Sequence, residues 1–226
     1  MAGLFRRTLP ALLVAFGLLF QIAPGGESTV TSNSFGNGNF LAPADGARYR
    51  IDSAKSKFIV RAFAGGFLSA LAHDHTISVG EFSGETSFTF GSVEPASLQM
   101  TIKASSLSVI DKISDKDRQK IETTMRDEVL ETSTFPEVTF KSTSVTANKT
   151  GEGEYQAKIN GDITLHGVSR QLTIPAQLSF GDKELHAKGA FSLKQSNFGI
   201  KPVSVAGGTI KVKDELKFTF DILAHP

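Results

Sequence analysis

From residue 48 onward, apolar and polar side chains alternate with the period of two that marks strands with one covered face. Phe58, Val60 and Ala62 form one such row. Ile77 and Val79 begin a second, which resumes in the opposite parity as Phe82, Gly84, Thr86, Phe88 and Phe90. A parity change across Gly80-Glu81 predicts a bulge or bend, because one extra residue turns a strand's faces over. Further rows follow at Leu98, Met100 and Ile102, then at Val138 and Phe140. Ala157, Ile159, Ile163 and Leu165 run across Asn160-Gly161; Leu172, Ile174 and Ala176 continue into Leu178 and Phe180. Leu185, Ala187, Gly189, Phe191 and Leu193 alternate cleanly, and Ile210, Val212, Leu216, Phe218, Phe220 and Ile222 complete the pattern. These rows amount to about nine strand-like runs.

One segment departs from period two. In ISDKDRQKIETTMRDEVLETSTFP, residues 113 to 136, Ile121, Met125 and Val129 recur at every fourth residue, one stripe of a short helix. Ser114 stands three residues before Asp117, the spacing of an N-cap, and Pro136 follows the end. No strand-helix alternation and no glycine-rich phosphate loop accompanies it. The expected fold is all-β, an antiparallel barrel or sandwich, and in a barrel the short helix would cover one opening.

The first 47 residues read differently. Arg6 and Arg7 precede an apolar run from Leu9 to Phe20, too short for a comfortable membrane span, so residues 1–23 are expected to be a signal peptide. The chain is then exported, to the periplasm or beyond, with an uncleaved membrane tether as the alternative. Residues 24–47, rich in Gly, Ser, Asn and Thr, are expected to be a flexible linker before a domain at 48–226.

Composition narrows the chemistry. With 24 Lys plus Arg against 23 Asp plus Glu, the chain has no strong positive field with which to seek nucleic acid. It has no cysteine, hence no disulfide, no thiol nucleophile and no paired-cysteine metal site. Eighteen phenylalanines against two tyrosines and no tryptophan favour an oily interior. Alternation sets which rings face inward and leaves open whether they meet across the axis.

YRIDSAKSKFIV (49 to 60), MRDEVLETSTFPEVTFKST (125 to 143), GDITLHGVSRQLTIPAQL (161 to 178) and FSLKQSNFGI (191 to 200) occur in an order and spacing that resemble the YceI-like proteins. The resemblance spans nearly all of residues 48 to 224. It implies an all-β fold, an extended lipocalin-like antiparallel β-barrel of about eight strands with a short helix covering one end and a long apolar tunnel, holding an isoprenoid or fatty chain through nonpolar side chains, with polar contacts near an opening. Two departures bear on head-group preference: Lys55 and Lys57 flank Ser56 where many relatives carry histidine, and Lys194-Gln195 stands where a basic residue is common. On this resemblance the expected ligand-contacting residues are Phe58, Val60, Phe82, Phe88, Met100, Met125, Phe140, Phe191 and Phe198. His73, His75, Arg126, Asp127 and His166 are the expected polar rim.

The HDH triplet invites another chemistry. In a strand His73 and His75 would face one side and offer two imidazoles to one ion. Two ligands fall short of the three usual at a catalytic zinc, and a structural or head-group role competes with metal binding. Arg126 and Asp127 read as ties from the helix to strand loops, and His166-Gly167 as a turn. Three functions stay open: noncatalytic carriage of a long-chain lipid without cofactor, a metal-dependent enzyme at His73 and His75, and a filled barrel acting through its surface. A homodimer and transient membrane contact remain open as well.

Overall fold

The computed structural model describes residues 47–89, 92–181 and 184–226. The expected signal peptide and Phe90 lie outside the described residues, as does the expected linker apart from Ala47, which already belongs to the first strand. The elements are β1 (Ala47–Ile51), β2 (Lys57–Gly65), β3 (His75–Val79), β4 (Phe82–Thr89), β5 (Ser92–Lys103), β6 (Leu107–Val109), α1 (Asp115–Thr124), β7 (Glu137–Gly151), β8 (Glu154–Leu165), β9 (Val168–Phe180), β10 (Leu185–Lys194), β11 (Ser204–Val205) and β12 (Ile210–His225).

All pairings are antiparallel. β1 with β2, β3 with β4 and β5 with β6 continue one another as long bent strands, so the segments occupy eight positions of one meander, with β11 an appendage of β12. The ring closes where β12 pairs with β2 from Lys211 to Asp221 and with β1 at Ala224 and His225. Among the described strands, closure leaves one side of β6 as an open edge.

The parity change at Gly80-Glu81 is a bend, and it is shared. Gly80 N–H donates to Ser106 O at 3.2 Å, and Glu81 N–H to Ser106 Oγ at 2.9 Å, so the bend between β3 and β4 abuts the break between β5 and β6. On the other side, between β1 and β2, Ser56 Oγ donates to Asp52 O at 2.6 Å and accepts Leu223 N–H at 2.9 Å. Three neighbouring strand positions therefore bend together, making a barrel corner.

β7 starts opposite Lys103, leaving Leu107–Val109 without a strand on that side. The helix supplies the missing partners. Val109 N–H donates to Glu122 Oε1 at 2.9 Å, and the Arg118 guanidinium donates to Val109 O and, at 2.8 Å, to Asp111 O. Ser114 caps α1 as its spacing predicts, accepting Asp117 N–H at 3.1 Å. The stripe of every fourth residue then departs from a straight helix: Leu130 N–H reaches Met125 O at 2.9 Å, a wider π turn over Met125–Val129. The reading of Arg126 and Asp127 as ties to strand loops is corrected. Arg126 pairs with Glu122 on its own helix at 3.6 Å and Asp127 is exposed; Arg118 and Glu122 make the ties.

Candidate functional site

The helix end of the barrel carries the connections 66–74, 110–136, 166–167 and 195–209; the far end carries 152–153, 181 and 184. Between these ends the inward rows leave two voids. The lower chamber, about 130 Å³, is bounded by Ile51, Phe88, Leu98, Met100, Phe140, Ile174, Phe180, Leu185, Ala187 and Ala224 among others, with Thr86 and Thr139 as its polar residues. The upper chamber, about 100 Å³, lies toward the helix end under Leu130, Ile200 and Leu216, with Val60, Val79, Leu165 and Phe218, and has Gln195 as its polar side chain. Phe58, Ile102, Val138, Ile163 and Phe191 line both and form the waist between them. Phe58 meets Phe82 edge-on at 6.2 Å and Phe218 at 6.3 Å, while Phe191 stacks on Phe218 with centroids 4.8 Å apart.

Such walls exclude water, because a buried water needs two to four polar partners and carbon supplies none. An empty apolar void of the lower chamber's size, about 130 Å³, costs on the order of 3 kcal/mol in lost contacts. A hydrocarbon segment entering it restores those contacts and leaves water, gaining about 0.8 kcal/mol per methylene. The walls have room to hold these voids because two inward glycines let rings lie flat. A Cβ on Gly161 would meet Phe140 Cε2 at 2.9 Å, and one on Gly189 would meet Phe220 Cε1 at 2.7 Å.

The expected contact residues divide. Phe58, Val60, Phe88, Met100, Phe140 and Phe191 line a chamber. Phe82, Met125 and Phe198 are buried in the packing without lining either, Phe82 at the barrel corner and Phe198 beneath the turn ended by Gly199 at φ 73°. Sequence reading passed over Gln195, 5% exposed, whose Nε2 donates to Lys213 O at 3.0 Å. A polar residue at the inward register position, following Leu193, was the available signal.

The expected rim residues do gather at the helix end. His73 is exposed and precedes β3, so it does not share a strand face with His75. Between them, Asp74 Oδ1 accepts Ala64 N–H at 3.0 Å. His75 Nδ1 lies 2.9 Å from Asp111 Oδ2. Among the described residues, no group of three or more His, Cys, Asp or Glu is placed to hold a metal ion. His166 takes φ 51° and Gly167 φ 71°, the two left-handed positions of a tight hairpin between β8 and β9. The His166 ring packs on Phe135 at 4.4 Å, with Nε2 3.6 Å from Glu131 Oε1.

Asp111 fastens the helix connection to β3. Burial raises its carboxyl, but the His75 ring and Thr76 N–H, the latter at 3.1 Å, outweigh this and hold it below the ordinary aspartate range. The folded state thus favours the carboxylate more than the unfolded chain does. Its stabilisation is complete above the unfolded value of about 3.9 and is lost as pH falls through the lower folded value. Asp111→Asn is expected to cost about 1–2 kcal/mol at neutral pH, with the difference from wild type shrinking in acid, as read from urea unfolding at several pH values.

A family model for the YceI-like domain matches residues 49–224. A UPF0312 protein of Shewanella baltica is 28% identical over 141 residues, 59% of this chain and 69% of its own length. Another, from Pseudomonas aeruginosa, is 32% identical over 127 residues, 54% and 61% respectively. Of solved structures, BcnA of Burkholderia cenocepacia superposes with a TM-score of 0.59 at 19% identity, covering 76% of this chain and 98% of that one. A polyisoprenoid binding domain from Saccharophagus degradans gives 0.57 at 13% identity, covering 78% and 97%. At such identities the solved structures share the fold, which by itself does not assign a function.

Proposed function

The chain belongs to the YceI-like domain family, and on that premise we propose that it binds and carries a long-chain apolar molecule, an isoprenoid or fatty chain, without performing chemistry on it. One observation carries this reading: two voids that share a waist inside the barrel, of about 130 and 100 Å³, walled almost wholly by carbon. A barrel selected only as scaffold gains nothing from leaving them open. The polyisoprenoid binding domain that shares the fold supports the ligand class.

In this reading the chain's tail fills the lower chamber and its body passes the Phe58–Phe191 waist. The upper segment lies beneath Leu130, where Gln195 offers a partner to a terminal hydroxyl or carbonyl. Binding is desolvation, driven by area rather than by directed bonds. The N-terminal segment supports an exported protein, meeting its cargo outside the cytoplasm. Native mass spectrometry of protein purified without detergent tests the proposal. A co-purifying adduct with the mass of a single lipid is expected; repeatedly bare protein that also refuses added isoprenoid alcohols and fatty acids would contradict it.

A further inference from the structure

The large hydrophobic side chains that stand exposed among the described residues all belong to connections or an appended strand at the helix end: Phe67 at 92%, Ile110 at 52% and Val205 at 51%. A scattered exposed valine is ordinary, but a phenylalanine left almost wholly in water is not. Nor is Phe67 on a loose tip. Gly66 takes φ 93°, where a Cβ would lie 2.5 Å from Thr209 O, and Leu68 N–H donates to that same carbonyl at 2.9 Å. The turn is tied to the chain entering β12 and holds Phe67 outward. Val205 lies on β11, across the start of β12 from this turn and opposite Ile210.

Cations lie on the chain leading into β11 and on the start of β12. Lys201, Lys211 and Lys213 are exposed, and Arg61 lies on the neighbouring β2. Arg61 and Lys213 both approach the Phe63 ring, at 5.4 and 6.0 Å. Two nearby carboxylates are already engaged. Asp74 accepts Ala64 N–H and sits 4.0 Å from Arg61; Asp214 accepts the Ser196 N–H and hydroxyl at 2.8 and 2.6 Å. Glu215 is the exposed acid that remains on this stretch of β12.

We infer that the side of this end formed by the Phe67 turn, β11 and the start of β12, away from the acidic 115–131 helix segment, docks on an anionic lipid surface. Phe67 and Val205 enter the boundary between headgroups and acyl chains, and Lys201, Lys211 and Lys213 meet the phosphates. The upper chamber lies at the same end, so docking places it next to the bilayer. The docking residues all lie outside the chambers, so the inference goes beyond chain binding and stands or falls separately.

The chain has no tryptophan, which makes Phe67→Trp a unique reporter. It is titrated in the full chain with vesicles of phosphatidylcholine alone and of phosphatidylcholine with one-third phosphatidylglycerol. With anionic vesicles the emission is expected to shift to the blue and to be quenched by acyl-brominated lipid, an effect that fades as salt rises. A second reporter at the far end, Glu152→Trp, stays in water. Adding Lys201→Gln, Lys211→Gln and Lys213→Gln to the Phe67→Trp chain weakens its vesicle partition by about a hundredfold, at roughly fivefold per lysine. These lysine changes leave the affinity for a fatty-acid probe in vesicle-free buffer unchanged. Three results overturn the inference: an indole at 67 that stays water-exposed with saturating anionic vesicles, as a protein-binding patch would give; equal shifts at 67 and 152; or no loss with the lysine changes.

Discussion

Ala187→Phe is expected to lower the affinity for a straight-chain polyene fatty acid by about a hundredfold or more while leaving the barrel folded. Ala187 borders the lower chamber, opposite Leu178 on β9 and Ile222 on β12. A phenyl ring there occupies the space that about four methylenes would take, and at about 0.8 kcal/mol each their exclusion removes about 3 kcal/mol of desolvation. Overpacking ordinarily costs about 1–3 kcal/mol, but here the added ring goes into a void that already lacks contacts, so the two effects oppose. Fluorescence titration reads the affinity, and circular dichroism with a urea midpoint reads the fold. A folded variant with undiminished affinity would place the chain outside the lower chamber.

The largest stability effect is expected at Gly189. This residue lies opposite Phe220 on β12, with the ring flat across it and the Pro175 carbonyl oxygen close by on β9. A valine there collides with both. The ring can yield only by swinging into the lumen, and the Pro175 oxygen, being backbone, moves only with its strand. Gly189→Val should lower stability by about 3 kcal/mol, or a melting temperature by roughly 6–12 °C for a domain of this size. Phe220→Ala in the same chain should recover part of that loss, since the two sites share one collision. Equal stability of Gly189→Val and wild type would mean that the barrel wall gives way more easily than its packing indicates.

Much of this architecture is written in the alternation of side chains. The inward rows, the bend at Gly80-Glu81, the Ser114 cap and the His166-Gly167 hairpin each follow from a local rule, and each is present. Period two assigns a face but not a depth. Phe82 has the right parity for the interior yet sits at the barrel corner, beside the edge of Phe58, rather than on a chamber wall. Met125 and Phe198 are likewise inside without facing the void. The π turn escaped because a repeat of four residues reads as straight helix, and the insertion shows only in the bond from Leu130 to Met125. Nothing local announces that Arg118 and Glu122 complete the edge of β6, because the need arises from where β7 begins. His73 and His75 suggested a shared strand face, but β3 starts only at His75, with Asp74 occupied by the Ala64 amide.

The hollow is the feature on which the rest turns, and no pattern of residues alone distinguishes it from a filled interior. A stoichiometric titration of delipidated protein with a polyene fatty acid probes it most directly. One chain bound per barrel, displaced competitively by isoprenoid alcohols and abolished by Ala187→Phe, is the expected result. Absence of saturable binding, in protein shown to be folded and free of lipid, would contradict the account.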